Sequence, residues 1–198
     1  MYYELEVRSH VRVPPSKFKD DTEESILKSL NETFDAFVSK EIGAIIGVTE
    51  ILEIGEGVII PGDGAAYYNT RFKILTFKPE IQEIILGKVN DITEFGAFMN
   101  MGAMDGMVHV SQTMDDFVSY NKSNALTGKE SKRILKVGDK CRARIIAVSF
   151  KEIANPKIGL TMRQPGLGSM TWVDEEAAKS KKEDAVEKGE EKKKGKEK

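Results

Sequence analysis

Residues 86–112 read LGKVNDITEFGAFMNMGAMDGMVHVSQ, and three fragments within them set the reading of the second half of the chain: Gly87-Lys88-Val89, Phe95-Gly96-Ala97-Phe98 and Gly106-Met107-Val108-His109-Val110-Ser111. Short apolar runs separated by glycine-bearing turns predict consecutive β-strands. The same residues carry a chemistry. Single-stranded RNA exposes the flat faces of its bases, and strand-borne aromatic rings stack on them for about 1–3 kcal/mol each while Lys and Arg hold the phosphates. Phe95 and Phe98 are the stacking candidates, and His109 either joins them or is an ordinary strand histidine. The two phenylalanines differ in parity. A regular strand puts one on each face, whereas a bend or bulge at Gly96 brings both outward; both arrangements stay open at this level.

Working outward, Lys140, Arg142 and Arg144 share one face of a later strand. Three cations in a row cannot all be buried unpaired at tolerable cost, so solvent or ligand is expected beside them. Lys88 on the first strand and Lys157 on the last are further cation candidates. A strand-borne groove of this composition binds with strong salt dependence and little sequence preference. The charge distribution agrees. Residues 1–81 hold 9 basic and 14 acidic side chains for a balance of −5, residues 82–163 hold 12 and 9 for +3, and the remainder holds 9 of each, within a net charge of −2. The first part is better suited to protein contact than to nucleic acid.

Residues 2–13 alternate as a strand and stop at Pro14-Pro15. From Thr22 the spacing turns helical, with Ile26, Leu27, Leu30, Phe34, Phe37 and Val38 on one stripe and Asp21 with Glu24 as an N-terminal capping pair, which predicts an amphipathic helix of about five turns. Runs 44–54, 57–60 and 66–77 read as strands, separated at Gly55 and at the Pro61-Gly62-Asp63-Gly64 turn. One helix on a small antiparallel sheet results. Residues 82–163 then read as five short strands interrupted over 113–135 by a polar stretch that is treated as a loop. Beyond Trp172 the chain is almost wholly Lys, Glu, Asp, Ala and Gly, so residues 174–198 are expected to be a disordered charged tail. The domain boundaries follow: 1–81, 82–173 and 174–198.

Several classes are set aside by what the 198 residues contain. No apolar run reaches the ~18 residues of a membrane span, and the start, Met1-Tyr2-Tyr3-Glu4, lacks the order of a secretory signal. A cytosolic or nuclear protein is expected. Cys141 is a single cysteine, placed as a small core residue, so neither an internal disulfide nor a cysteine zinc site is expected. No phosphate-cradling loop, HExxH or nucleophile elbow is present, and no catalytic residue, metal or cofactor is assigned.

The fragments around Phe95, Phe98 and His109 resemble the opening strands of the RNA-binding domain repeated in the S-one ribosomal protein, an OB-fold barrel. In that family the two aromatics and the histidine line the RNA face. An Asp commonly stands near the end of the fourth strand, where this chain has Ser149, whereas Lys157 keeps a basic residue at the start of the fifth. The first 80 residues add a second resemblance. Gly55-Glu56-Gly57-Val58-Ile59-Ile60-Pro61-Gly62-Asp63-Gly64 ahead of Tyr67-Tyr68-Asn69-Thr70-Arg71-Phe72, in the order strand, helix, Gly-rich strands, is similar to the N-terminal ribonucleoprotein-like domain of the E-prime family of archaeal RNA polymerase stalk proteins, counterparts of the seventh stalk protein of eukaryotic nuclear polymerases. This resemblance implies an α+β first domain followed by an all-β OB-fold barrel, in a non-catalytic protein that docks on the polymerase core, forms a heterodimer with the polymerase F subunit and binds single-stranded nascent RNA. It implies a core-docking tip built from Gly55, Gly57, Pro61, Gly62, Asp63 and Gly64, no membrane association, and a cytoplasmic place in an archaeal cell or a nuclear one in a eukaryote. The alternative is a free-standing RNA-binding factor in translation or exosome-type RNA decay.

Overall fold

A computed structural model describes residues 1–19, 21–121, 124–153 and 156–178. The chain divides into two compact units, Met1–Glu80 with Phe150–Pro156, and Ile81–Ser149 with the residues from Lys157 onward.

The first unit is a four-stranded antiparallel sheet with one helix on it. Strand β1 (Tyr2–Val13) is followed by helix α1 (Thr22–Phe34), the short β2 (Val38–Ser39), the long β3 (Gly43–Ile59) and β4 (Ala66–Phe77). Their order across the sheet is β1-β4-β3-β2. Ile26 and Leu30 of α1 pack on Val11, Val13, Ile45, Phe72 and Ile74, with Leu5, Val7, Val48, Ile51 and Ile54 at the margin of the cluster. Burial of each such side chain contributes roughly 1.5–3 kcal/mol. The helix is shorter than its apolar stripe predicts. It ends at Phe34, Ala36 takes a left-handed φ of 54°, and Phe37 lies outside the helix with 45 % of its surface exposed. Asp21 does occupy the N-cap position, but its side chain makes no capping hydrogen bond.

Strand β3 is one element, not two runs parted at Gly55. Against β4 it carries register shifts at Ile45/Gly47, Val48/Glu50, Ile51/Glu53 and Ile54/Gly57. Each inserts unpaired residues and restores the previous face, so the apolar side chains on the helix side recur at every third position: Ile45, Val48, Ile51, Ile54. The other face carries charge, with Lys73 between Glu4 and Glu50 and Arg71 between Glu6 and Glu53. At the far end, the turn between β3 and β4 is tied back to β1. Arg12 donates two hydrogen bonds to the Asp63 carboxylate, at 2.9 and 2.7 Å, and the Tyr67 hydroxyl donates a third at 2.6 Å. These donors hold the Asp63 pKa down at about 2, from 3.8.

The second unit is a closed barrel with an inserted sheet. Strands β5 (Ile84–Thr93), β6 (Gly96–Asn100) and β7 (Asp105–His109) form an antiparallel meander; β8 (Val118–Asn121), β9 (Ala125–Gly128) and β10 (Ile134–Lys136) form a separate three-stranded sheet; β11 (Lys140–Ser149), β12 (Lys157–Thr161) and the short β13 (Gly168–Ser169) complete the unit. Strand β12 pairs antiparallel with β11 and parallel with β7, while β11 pairs with β5, so the five strands β5, β6, β7, β12 and β11 close a ring. Inward positions are aliphatic or sulfur-bearing: Val89, Ile92, Met99, Val108, Cys141, Ala143, Ile145, Ile158 and Leu160 are all buried. Burial pushes the Cys141 thiol up to about 12, so it stays protonated and inert.

Two expectations are corrected here. The stretch 113–135 is no simple loop, because most of it folds into the β8-β9-β10 sheet, with Leu126 and Leu135 fully buried. Residues 170–178 are helical, so the expected tail begins inside a helix; Trp172 is buried there, with the Arg133 guanidinium 5.6 Å from its ring and paired to Glu176 at 2.7 Å. The rest of the tail lies outside the described residues.

Two outcomes are expected. Phe72 is fully buried at the centre of the first unit, so Phe72→Ala should cost about 3–5 kcal/mol in urea-induced unfolding; a loss under about 1 kcal/mol would contradict this packing. For Asp63 the folded pKa lies below the unfolded one, so its stabilising contribution is complete above 3.8 and is lost as pH falls through about 2. An NMR titration of the carboxyl should find that low midpoint, and Arg12→Gln should return it toward 3.8.

Candidate nucleic-acid interface

The barrel's outward positions follow from its pairing register. Gly96 faces His109, Phe98 faces Met107, and Asp91 faces Phe98 from the other side. Phe98 is therefore on the outer surface, at 39 % exposure, diagonally adjacent to His109. Phe95 is not on a strand at all. Thr93 pairs with Gly96, which leaves Glu94 and Phe95 as a two-residue turn, and the Phe95 ring is 62 % exposed. Strand parity does not constrain a turn residue, and both aromatics reach solvent on that account rather than through a bulge. Gly96 makes the arrangement feasible. Its φ is +152°, and a Cβ there would lie 2.1 Å from the Val108 carbonyl oxygen, so any side chain would push β6 off β7.

His109 ends β7 and caps the single 3-10 turn Val110–Gln112. Its Nδ1 accepts from the Ser111 backbone N–H at 3.3 Å and lies 2.8 Å from Ser111 Oγ. With Nδ1 accepting, the neutral ring carries its proton on Nε2, the edge opposite this turn. Met107, half-buried beside Phe98, belongs to the same surface; its place two residues before His109 is the parity signal that identifies it.

The cations divide. Lys88 and Lys140 are directly opposite each other across β5 and β11, both exposed. Like charges so placed are unfavourable unless an anion lies between or beside them. Lys88 also pairs in register with Asn100, two residues from Phe98. Arg142 and Arg144 lie on the outer side of β11, since Cys141, Ala143 and Ile145 point inward. Both are half-buried. Arg142 donates from Nη1 to the Gly166 carbonyl at 3.3 Å, held by the segment that leads into β13, and Arg144 Nε is buried with no hydrogen-bond partner. Lys157 is exposed at the start of β12 and pairs in register with Ser149.

The tip residues divide as well. Gly55 and Gly57 are within β3 rather than in a turn. A Cβ on Gly57 would lie 2.7 Å from the Tyr68 ring, which explains the glycine as a close-approach position between strands. Pro61, Gly62, Asp63 and Gly64 form the exposed β3–β4 connection, with Gly62 and Gly64 at left-handed φ values of 98° and 69°. Val58, Ile59 and Ile60 lead into it, at 61, 61 and 47 % exposure. An open groove of about 630 Å³ between His10, Gly55, Glu56, Val58, Ile60 and Tyr67 adjoins them.

Among the described residues no cluster of His, Cys, Asp and Glu could hold a metal ion, and no helix is long and apolar enough to cross a membrane. Comparison with known proteins places both units. Residues 8–64 match the model of the SHS2 domain found in the N terminus of Rpb7p/Rpc25p/MJ0397, and residues 78–152 match that of the S1 RNA binding domain. The chain is 37 % identical over 175 residues to the DNA-directed RNA polymerase subunit Rpo7 of Saccharolobus solfataricus, covering 87 % of this chain and 97 % of that one. It is 37 % identical over 183 residues to Rpo7 of Sulfolobus acidocaldarius, covering 92 and 100 %. A more distant relative, DNA-directed RNA polymerase III subunit RPC8 of Saccharomyces cerevisiae, is 27 % identical over 158 residues, covering 77 and 74 %. Near-complete coverage in both directions extends the likeness to the order of the two domains, and the chain belongs to the Rpo7 family of DNA-directed RNA polymerase subunits.

Proposed function

We propose that this chain is a stalk subunit of DNA-directed RNA polymerase, contributing no catalytic group of its own, that binds single-stranded nascent RNA on its barrel and docks on the polymerase core through its β3–β4 tip. The observation that carries the RNA assignment is the outward set of Phe95, Phe98 and His109 beside the opposed Lys88 and Lys140, on a barrel that matches the S1 RNA binding domain. Two rings for stacking and a pair of cations for phosphate are what a sequence-tolerant single-strand site requires. Lys157 adds a further phosphate contact, and Arg142 and Arg144 support from the rim, where their burial limits them to ligands that approach closely.

The tip reading rests on its exposed apolar approach, Val58 to Ile60, ahead of a turn fixed by Arg12, Asp63 and Tyr67. A rigid, partly apolar projection on an acidic domain fits protein contact and not nucleic acid. In this reading the protein forms a heterodimer with the polymerase F subunit and works where transcription takes place, in the cytoplasm of an archaeal cell.

Affinity capture of the full chain should return polymerase core subunits and a small partner of the F type; recovery of ribosomes or an exosome instead would replace the assignment with a free-standing RNA-binding factor. Changing Phe95, Phe98 and His109 together to Ala should weaken binding of an unstructured RNA by at least about tenfold while leaving that capture unchanged. Lys88→Gln with Lys140→Gln should flatten the slope of log affinity against log salt by roughly 1.4, at ~0.7 for each phosphate no longer neutralised on a single strand. Unchanged RNA affinity in the triple variant would remove the barrel site.

A further inference from the structure

The inserted sheet β8-β9-β10 carries a second surface of the same chemistry. The second unit builds its core without phenylalanine: its three, Phe95, Phe98 and Phe117, are 62, 39 and 69 % exposed. Phe117 is the most exposed of them and lies off the barrel, immediately before β8. Its position is fixed by the backbone. Lys129 N–H donates to the Phe117 carbonyl at 3.0 Å, and the Asp116 carboxylate accepts from the backbone N–H groups of Phe117, Glu130 and Ser131 and from Ser131 Oγ. The Lys129 ammonium stands 4.4 Å from the centre of the Phe117 ring.

The pairing register extends this pair into a face. Val118 pairs with Gly128, Ser119 with Thr127, and Asn121 with Ala125, which in turn faces Lys136. Strand alternation therefore puts Phe117, Lys129, Ser119, Thr127, Asn121 and Lys136 on one side, opposite the side that buries Leu126 and Leu135. Among the described residues that side carries an aromatic ring, two cations, two hydroxyls and an amide, together with the exposed Ile134 opposite Thr127 and the buried Ala125, and no carboxylate. Acids border it: Asp115 pairs with Arg163 at 2.6 Å, Asp116 is taken up by the turn, Asp139 accepts from the Lys136 backbone N–H at 2.9 Å, and Glu130 is exposed beyond the last sheet pair.

We infer that this face is a second single-stranded RNA contact, in which Phe117 stacks on a base and Lys129 and Lys136 meet phosphates, lengthening the track that begins on the barrel. A cation held against one face of an exposed ring favours a base with its adjoining phosphate over an apolar protein surface, which would have to desolvate the ammonium. The inference rests on the RNA-binding reading of the barrel, and the two are separable by RNA length. One OB fold accommodates about 4–16 nucleotides, so an oligouridylate of about 6 nucleotides tests the barrel alone and one of about 20 spans both surfaces.

With the full chain, Phe117→Ala combined with Lys129→Gln should weaken the longer oligouridylate by about tenfold and leave the shorter one unaffected, while Phe117→Tyr retains binding of both. Photocrosslinking of 4-thiouridine in the longer RNA should then label the peptide containing Phe117 as well as the barrel. Longer-RNA affinity unchanged in the double variant, with the barrel triple variant still defective, would overturn this inference and leave the proposed function standing. Failure of the unaltered chain to bind either RNA would overturn both. Loss of captured polymerase subunits with RNA affinity unchanged would assign the face to a protein partner and overturn it too.

Discussion

The double pairing of β12, antiparallel to β11 and parallel to β7, is the constraint on which the second unit depends. A five-stranded sheet left open would expose two edges and could slide by two residues at little loss of pattern. Closure removes those edges and fixes which side of every strand is inside. Once the ring is shut, Val89, Met99, Val108, Ala143 and Leu160 must fill it, and Phe98, Met107, His109, Lys88 and Lys140 are committed to the outside. The small inward residues Ala97, Cys141 and Ala143 suit a narrow lumen in which aromatic rings would not fit. The outward aromatic surface and the aliphatic interior are two sides of one packing solution.

In the first unit the corresponding device is the repeated offset of β3 against β4. Unpaired residues inserted at each step bend the strand progressively around α1 while keeping Ile45, Val48, Ile51 and Ile54 on the helix. The bulges also disturb the outer edge of β3, which β2 covers only at Gly43 and Ala44, and so discourage pairing with another chain along most of its length. Regular pairing returns at Gly57–Ile59, next to the tip proposed for contact with the polymerase core.

Much of this was legible from local pattern. The strand over residues 2–13 follows from alternation ended by Pro14, and the barrel strands follow from short apolar runs between glycines. What was not legible has specific causes. A bulged strand with period three matches neither the alternation of a sheet nor the spacing of a helix, so β3 read as two runs broken at Gly55. Ser119, Asn121 and Thr127 share one face of a sheet whose other face is Val118, Tyr120, Leu126 and Leu135, scattered over three strands too short to show a period. Phe95 reaches solvent through a two-residue turn that parity does not describe. Burial of Arg142 depends on Gly166, distant in sequence, and no local signal reports it. The common face of Phe98 and His109 rested on the family resemblance alone, since the parity of residues 95–98 left the side of Phe98 open.

The opposed Lys88 and Lys140 carry a thermodynamic consequence. Strand register sets the two lysines directly opposite each other on neighbouring strands, and like charges so placed disfavour the folded ladder. Such a strain couples folding to the ionic surroundings. Counterions or a bound polyanion relieve it in the folded state alone, since in the unfolded chain the two lysines are far apart, and by mass action whatever occupies the site also stabilises the barrel. The barrel should therefore gain thermal stability with rising salt at this point of its surface, even as the same salt weakens its hold on RNA.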